Sequence, residues 1–459
     1  MSGPEGSPQA STRSAGRAAA ARPPALPAPE TLAAELARLV AEEQRKSRLP
    51  SIAAAVLRDG EIVWESAVGV ADVATKRDAT TDTQYRLGSI TKTFTAAAIM
   101  QLRDAGKLDL EDRLDRHVEG AAHAPTLRRL LSHTSGLQRE THDDAWLNKK
   151  FASVQELLET FHEAEQILPP GARFHYSNLA FALLGIVVER VSGEPYTDYV
   201  EQRLLKPLAL KRTAFEPDEN AAKGYLVKPY LDGVWDEAPI ETGAWISAGQ
   251  MWGTVHDLCR WAQFLAEPDE EVLAKRTVEE MRTIQTMDDH ARWTVGYGLG
   301  LQLFRDGERI MAGHGGSMPG FIATVRVSVG DRVGAAVLTN ESTARIGALG
   351  SKLVATTVER WPVPPKPWTV EGPPPAEIEP VLGLWYMEGS PLVFRWRNGT
   401  LEAQFTDAAE WEEPAVFERG ADGRWRIVSG WEHGEVLRVE ETRLVLSGYP
   451  ITREPGVWV

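Results

Sequence analysis

In the stretch Tyr85-Arg86-Leu87-Gly88-Ser89-Ile90-Thr91-Lys92-Thr93-Phe94-Thr95 a hydroxyl and an amine stand three residues apart at the mouth of an apolar segment. A serine hydroxyl attacks a carbonyl only when a neighbouring base takes its proton. Lysine, with a free pKa of about 10.4, is such a base only where burial or nearby cations hold it neutral. Three residues make nearly one helical turn, so Ser89 and Lys92 share a face if this segment is helical. A helix start there also offers free amides and a favourable dipole to the negative charge of attack. Ser-x-x-Lys arises by chance about once in a chain this long. This is the only one here, and its meaning depends on what else the chain brings to it.

Ile90, Phe94, Ala97, Ala98 and Leu102 recur at three- and four-residue spacing before Gly106, which predicts a buried helix behind Ser89. Ahead of it, an amphipathic helix is expected over 31–48, with Leu32, Leu36 and Val40 on one face and Pro50 at its end. Ile52–Arg58 and Glu61–Gly69 read as strands of a hairpin turning at Asp59-Gly60. Residues 108–264 read as a mostly helical insertion. Strands return at Leu301–Phe304, Ile310–Ala312, Phe321–Val329 and Val333–Thr339, followed by a helix over 344–361. The expected class is therefore α/β (α+β): one antiparallel sheet flanked by helices, with the helical region inserted between its two halves.

Two further segments carry polar groups suited to the same chemistry. Pro169-Pro170-Gly171-Ala172-Arg173-Phe174-His175-Tyr176-Ser177-Asn178 opens into an apolar helix over 179–191 and aims Tyr176 and Asn178 at a common cleft. A phenol whose pKa a neighbouring ammonium lowers can relay a proton, and an amide can bond both lysine and a substrate carbonyl. The bland alternative is a stacked tyrosine and an asparagine helix cap. Gly313-His314-Gly315-Gly316-Ser317-Met318-Pro319-Gly320-Phe321, placed at a strand start, lets backbone amides approach a substrate closely and form an oxyanion hole with Ser89; the alternative is a glycine-rich turn.

Taken together, these segments resemble the penicillin-recognising serine hydrolases: class C β-lactamases, DD-peptidases, D-aminopeptidases, family VIII esterases and their relatives. Ser89-Ile90-Thr91-Lys92, Tyr176-Ser177-Asn178 and His314-Gly315-Gly316 match the three motifs in order and separation, and Leu131-Ser132-His133-Thr134-Ser135-Gly136-Leu137 looks like another recurrent stretch. The resemblance covers roughly residues 32–361. It implies a β-lactamase/transpeptidase-like fold, Ser89 as the acylated nucleophile, Lys92 as its base and Tyr176 as the proton relay. It further implies Asn178, Gly315, Gly316 and Ser317 as substrate-binding positions, the last through its amide. His314 stands where β-lactamases and DD-peptidases usually carry lysine. A largely neutral imidazole holds a carboxylate less well, which resembles D-aminopeptidases, some esterases and peptide-cyclising relatives.

The expected activity is cleavage of a small ester or amide through a Ser89 acyl-enzyme, with a small-molecule or peptide acyl substrate and no cofactor or metal. Acyl transfer or peptide cyclisation by the same intermediate, and a non-turnover sensor, are the competing readings. No Gly-x-Ser-x-Gly elbow, His-Glu-x-x-His site or phosphate-binding Gly-x-x-x-x-Gly-Lys loop occurs. His133, His175 and His256 lack ligand spacing and read as structural or surface residues.

Composition sets the remaining bounds. The chain has 459 residues, 43% hydrophobic and 25% charged, with a formal charge of -15 spread without long acidic runs. That balance disfavours nucleic acid and anionic membrane as partners. The single Cys259 excludes an intramolecular disulfide and reads as a core thiol. Residues 1–29 read as a disordered arm without a secretory signal, and no apolar run is long enough to span a membrane, so a cytoplasmic protein is expected. Eight prolines fall within residues 362–380. They mark a linker, placed at 362–375, between the 30–361 hydrolase domain and a 376–459 domain of short strands that resembles a lipocalin-like barrel. Trp385, Trp396, Trp411, Trp425, Trp431 and Trp458 are read there as packing residues.

Overall fold

The computed structural model describes residues 30–121, 123–142, 144–362, 368–370 and 372–456. The expected arm at 1–29 lies outside them, as do residues 363–367 and 371 of the expected linker and Trp458. The chain divides into two compact units at 363/364. Among the described residues no helix is long and apolar enough to cross a membrane.

The first unit is built on a nine-stranded sheet. Its strands are β1 (Ser51–Arg58), β2 (Glu61–Asp72), β3 (Arg77–Asp78), β4 (Thr286–Met287), β5 (Val295–Tyr297), β6 (Gln302–Asp306), β7 (Arg309–Met318), β8 (Phe321–Ser328) and β9 (Val333–Thr339). They lie in the order β3-β2-β1-β9-β8-β7-β6-β5-β4, every neighbour antiparallel. The hairpin β1–β2 turns on Asp59 and Gly60, both at positive φ (52° and 90°), the geometry that matches the twist of its strands. The two halves of the sheet meet at β1 and β9, in register from Ile52↔Thr339 to Arg58↔Val333. The expected assembly around an inserted helical region is what forms.

Every residue of β1 is buried because both faces of the sheet are covered. On one face, helices α1 (Glu30–Lys46) and, near the end of the unit, Gly347–Arg360 pack Leu32, Leu36, Val40, Leu353 and Val354 against Ile52, Ala54 and Val56. On the other, Ala53, Ala55 and Leu57 join a larger core shared with α2 (Thr91–Asp104). α2 is buried from Thr91 to Met100, so its polar side chains need partners inside. Thr91 and Thr93 donate to the carbonyls of Gly88 and Ile90 (both 2.7 Å), Thr95 to that of Ser247 (2.6 Å), and Thr93 accepts the Trp261 indole N–H (2.9 Å).

Two expectations change. The α-helix begins at Thr91, and Ser89 lies in a 3-10 turn, Gly88–Ile90, just ahead of it. The glycine-rich segment 313–318 is the interior of a strand, β7, paired with β8 from Met311↔Ser328 to Met318↔Phe321. Glycine weakens a strand, which is why the sequence reads as a turn there; close packing requires it instead. A Cβ on Gly316 would fall 1.8 Å from the Leu87 carbonyl, and one on Gly88, which sits at φ 54°, would fall 2.7 Å from the Ser317 nitrogen. Two backbones thus meet at a seam with no room for a side chain.

The second unit is a closed eight-stranded antiparallel barrel running from Gly383–Met387 to Tyr449–Thr452. Both of those terminal strands are absent from the sequence reading, and their pairing, Tyr386↔Thr452 and Met387↔Ile451, closes the ring. Leu392, Phe394, Leu401, Phe417, Leu446 and Ile451 fill its core. Trp385 is buried with its N–H on the Val381 carbonyl (2.6 Å), Trp396, Trp425 and Trp431 pack against the core, and Trp411 is exposed.

The seam makes a direct test of this packing. Gly316→Ala drives a methyl into the Leu87 carbonyl, and thermal or urea denaturation should show a loss of about 1–3 kcal/mol; an unchanged midpoint would mean that the two backbones are free to part.

Candidate active site

The turn carrying Ser89 is held at both ends. Ahead of it, Tyr85 and Arg86 pair with Gly253 and Trp252, and the Leu87 N–H donates to Met251 C=O at 2.7 Å. Behind it runs the buried helix α2. Ser89 is half-buried and faces a cleft of about 600 Å3. Lys92 is fully buried, with Nζ 3.0 Å from Ser89 Oγ and donating to the Ala248 carbonyl at 2.7 Å.

Burial is the main influence on that amine and holds its pKa well below the ordinary lysine value; Glu140 opposes the shift and Arg139 adds to it. A neutral amine has a lone pair to offer the serine hydroxyl.

Tyr176 and Asn178 are placed by the 133–140 segment. His133, buried and in the left-handed region at φ 55°, accepts the Ser177 N–H on Nδ1 (3.0 Å) and the His175 N–H on its carbonyl (2.8 Å). Its ring lies 4.2 Å from that of Tyr176. The Arg139 carbonyl accepts the Asn178 N–H at 2.9 Å. Ser177, rather than Asn178, caps the helix Asn178–Ser192, accepting the Ala180 N–H at 3.0 Å. The Asn178 amide is thereby free to donate to Glu140, whose other oxygen accepts the Trp245 indole N–H at 2.9 Å. Burial raises the Glu140 carboxyl above its ordinary range, against the Asn178 hydrogen bond and Lys92.

The phenol departs from expectation. Burial outweighs the Ser89 hydrogen bond and the Arg139 charge, and pushes Tyr176 above the ordinary tyrosine value. Tyr176 is a protonated phenol at rest.

His314 is buried on β7. Its Nδ1 faces the Gly315 carbonyl and so carries the proton, which leaves Nε2 to accept the Tyr297 hydroxyl at 3.0 Å. Burial, then Lys92, lowers its pKa to about 3, so the ring is neutral. Beyond Gly313 the outer edge of β7 has no strand partner, because β6 begins at Gln302, opposite Gly313. Gln302 Oε1 covers part of that edge by accepting the Gly315 N–H at 2.9 Å.

All eight residues singled out from sequence come together: Ser89, Tyr176, Asn178, His314, Gly315, Gly316 and Ser317 line the cleft, and Lys92 lies beneath Ser89. Arg139, Glu140, Tyr297, Gln302 and the Ala248 carbonyl belong to the same site and were not foreseen, since nothing in their local pattern separates them from ordinary loop and strand residues. His133 and His175 sit against the site as structural residues, and His256 is near the surface beside Glu65. Among the described residues no His, Cys, Asp or Glu cluster could hold a metal ion. Cys259 is a buried core thiol whose pKa burial pushes up to about 12.

Residues 36–357 match the family model described as Beta-lactamase, and residues 374–453 match one described as a domain of unknown function, DUF7586. Protein flp of Staphylococcus aureus (strain N315) is 25% identical over 321 residues, 67% of this chain and 62% of that protein. Beta-lactamase-like protein 2 of Dictyostelium discoideum is 29% identical over 290 residues, 59% of this chain and 52% of that protein. The chain thus spans less than two thirds of the length of either relative. Among solved structures, a D-stereospecific amidohydrolase from Streptomyces sp. superposes with a TM-score of 0.60 at 28% identity, covering 72% of this chain and 99% of its own. An octameric penicillin-binding protein homologue from Pyrococcus abyssi shares the fold, with a TM-score of 0.65 at 22% identity over 92% of this chain and 99% of its own. With the family model spanning most of the chain and the same architecture in these structures, the chain belongs to the beta-lactamase family.

Proposed function

We propose that this protein is a serine hydrolase that cleaves a small ester or amide through an acyl-enzyme on Ser89. The observation that carries the reading is the fully buried Lys92 amine, its pKa held well below the ordinary lysine value by burial, 3.0 Å from the Ser89 hydroxyl. In the first step the Ser89 proton passes to Lys92 Nζ as Oγ bonds to the acyl carbon. The carbonyl oxygen, now negative, is met by the Ser89 and Ser317 amides across the seam. Tyr176, protonated at rest, gives its proton to the departing amine or alcohol and regains one from the lysine ammonium. Asn178, held by Glu140, positions the donor. Water then attacks the ester on Ser89, with the proton movements reversed, and releases the acid.

Support for amides as well as esters comes from the resemblance to the Streptomyces amidohydrolase and from the neutral His314. Because that imidazole is uncharged, a substrate carboxylate gains no ionic hold at this position, which argues against penicillins and peptidyl-D-alanine as preferred donors.

Brief exposure to a panel of activated esters, D-amino-acid amides and a β-lactam, read by intact-protein mass, tests the nucleophile. Wild type should gain a transient adduct that Ser89→Ala does not form; an equal adduct on Ser89→Ala would remove the serine from the mechanism. Tyr176→Phe should lower kcat by about 10²–10⁴-fold on whichever donor turns over.

The lysine's burial also fixes a pH dependence. The folded state binds its proton less readily than the unfolded chain, so unfolding takes up a proton between the depressed folded pKa and 10.5, and stability rises with pH across that window. Relative to Lys92→Met, wild type should therefore gain stability as pH rises toward 10.5, at up to about 1.4 kcal/mol per pH unit. Parallel stability curves for the two proteins would show that Lys92 keeps an ordinary pKa.

A further inference from the structure

β7 runs on past the strand beside it. β6 starts at Gln302, opposite Gly313, so residues 314–318 leave an edge of β7 at the cleft with no strand against it. Alternate residues of a strand turn their N–H and C=O to the same edge, and a free edge of that kind is a template on which an extended peptide pairs. On this edge the alternate residues are Gly313, Gly315 and Ser317. Gly313 sits in register with Gln302. Gly315 is closed by two side chains: its N–H donates to Gln302 Oε1 at 2.9 Å, and its carbonyl accepts His314 Nδ1. That leaves Ser317, exposed in the cleft, whose amide meets the oxyanion.

The closure is built into the sheet. Gln302 is in register with Gly313 on one side and Tyr297 on the other. The Tyr297 hydroxyl in turn holds His314 at 3.0 Å. Both capping side chains are therefore anchored by β5 and β6, and a Cβ on Gly315 would lie 3.7 Å from Gln302 Oε1, in ordinary contact. The capped stretch is also where the leaving group departs. Tyr176, which gives that group its proton, has its ring 6.3 Å from that of His314, and the Phe174 ring lies 6.4 Å from Tyr176 and 5.4 Å from Tyr297.

We infer that Gln302 closes the β7 edge on the leaving-group side, so that a peptide leaving group gains no hold on the strand and the donors are those with a compact leaving group, ammonia or a short alcohol. An extended leaving group pairs with Gly315 only by displacing the Gln302 amide, one hydrogen bond exchanged for another with little net gain. A compact group does not reach it. The inference rests on the serine-hydrolase reading and chooses within it: an amidase or esterase rather than a peptidase. For a primary amide, the acyl–nitrogen bond breaks once Ser89 Oγ has bonded to the acyl carbon, and the nitrogen leaves as ammonia with the proton from Tyr176.

Leaving-group length reads the edge in catalysis. The probe is a set of amide donors that share one acyl group and release ammonia, glycinamide or triglycinamide, none of which carries a carboxylate. In wild type, kcat/KM should stay level or fall as the leaving group lengthens. In Gln302→Ala it should rise by about tenfold from glycinamide to triglycinamide, the worth of a hydrogen bond to an uncovered amide. Gln302→Glu keeps an acceptor for the Gly315 N–H and should restore the wild-type response, which a packing role alone would not.

Hydrogen exchange at the Gly315 amide reads the cap without any turnover. His314-Gly315 and His433-Gly434 are the two His-Gly pairs of the chain, so isotope labels on the histidine carbonyl and the glycine nitrogen select those amides alone in an NMR spectrum. The Gly315 amide should exchange at least about tenfold more slowly in wild type and Gln302→Glu than in Gln302→Ala. A slow Gly315 amide with no turnover of any donor keeps the closed edge and removes the hydrolase reading. Equal exchange in wild type and Gln302→Ala, or a wild-type kcat/KM that itself rises about tenfold with length, overturns the closure. The wild-type series decides even where Gln302→Ala does not fold.

Discussion

The site depends on one constraint: an amine is carried into the core on a helix that has no carboxylate to pair with it there. Lys92 is fully buried, meets a serine hydroxyl and a backbone carbonyl, and has only the more distant Glu140 to favour its charge. Desolvation outweighs Glu140 and holds the amine's pKa well below the ordinary lysine value. The consequences spread outward. Burial also keeps Tyr176 a protonated phenol, against the Ser89 hydrogen bond and the Arg139 charge. The same burial keeps His314 uncharged, with Tyr297 and the Gly315 carbonyl fixing its tautomer. Burial thus works against the charged form of all three groups.

Holding such a group in place requires the rest of the fold. The helix behind Ser89 is tolerated in the core because its threonines find carbonyl acceptors. The serine turn meets β7 at a seam of glycine backbones, which brings the Ser89 and Ser317 amides to one place. On the opposite side, the 133–140 segment fixes Tyr176 and Asn178 through backbone bonds, and Ser177 relieves Asn178 of capping the helix. Each support comes from a different part of the chain, which explains why an antiparallel sheet with a large helical insertion suits this chemistry.

Much of this was legible in the sequence. The period of Ile90, Phe94, Ala97 and Leu102 marked the buried helix, Asp59-Gly60 marked the hairpin, and three short motifs marked Ser89, Lys92, Tyr176, Asn178 and His314. What could not be read had specific physical reasons. The strand through Gly313 and Gly316 is hidden because glycine has no strand preference of its own, and close contact with another segment selects it. The first and last barrel strands, Gly383–Met387 and Tyr449–Thr452, are short, and ring closure stabilises them. Glu140 and Tyr297 join the site through partners distant in the chain. The lowered phenol pKa expected for Tyr176 does not hold because burial outweighs the contacts that would lower it.

The most direct test of the account is the titration of Lys92 itself, followed by NMR of the lysine side chains labelled at Cε, with Lys92→Met used to assign the resonance. The account predicts a Lys92 signal at the position of a neutral amine at pH 7, with a midpoint well below the ordinary 10.5. A Lys92 signal that stays at the ammonium position until about pH 10 would contradict it, and would require another base for Ser89.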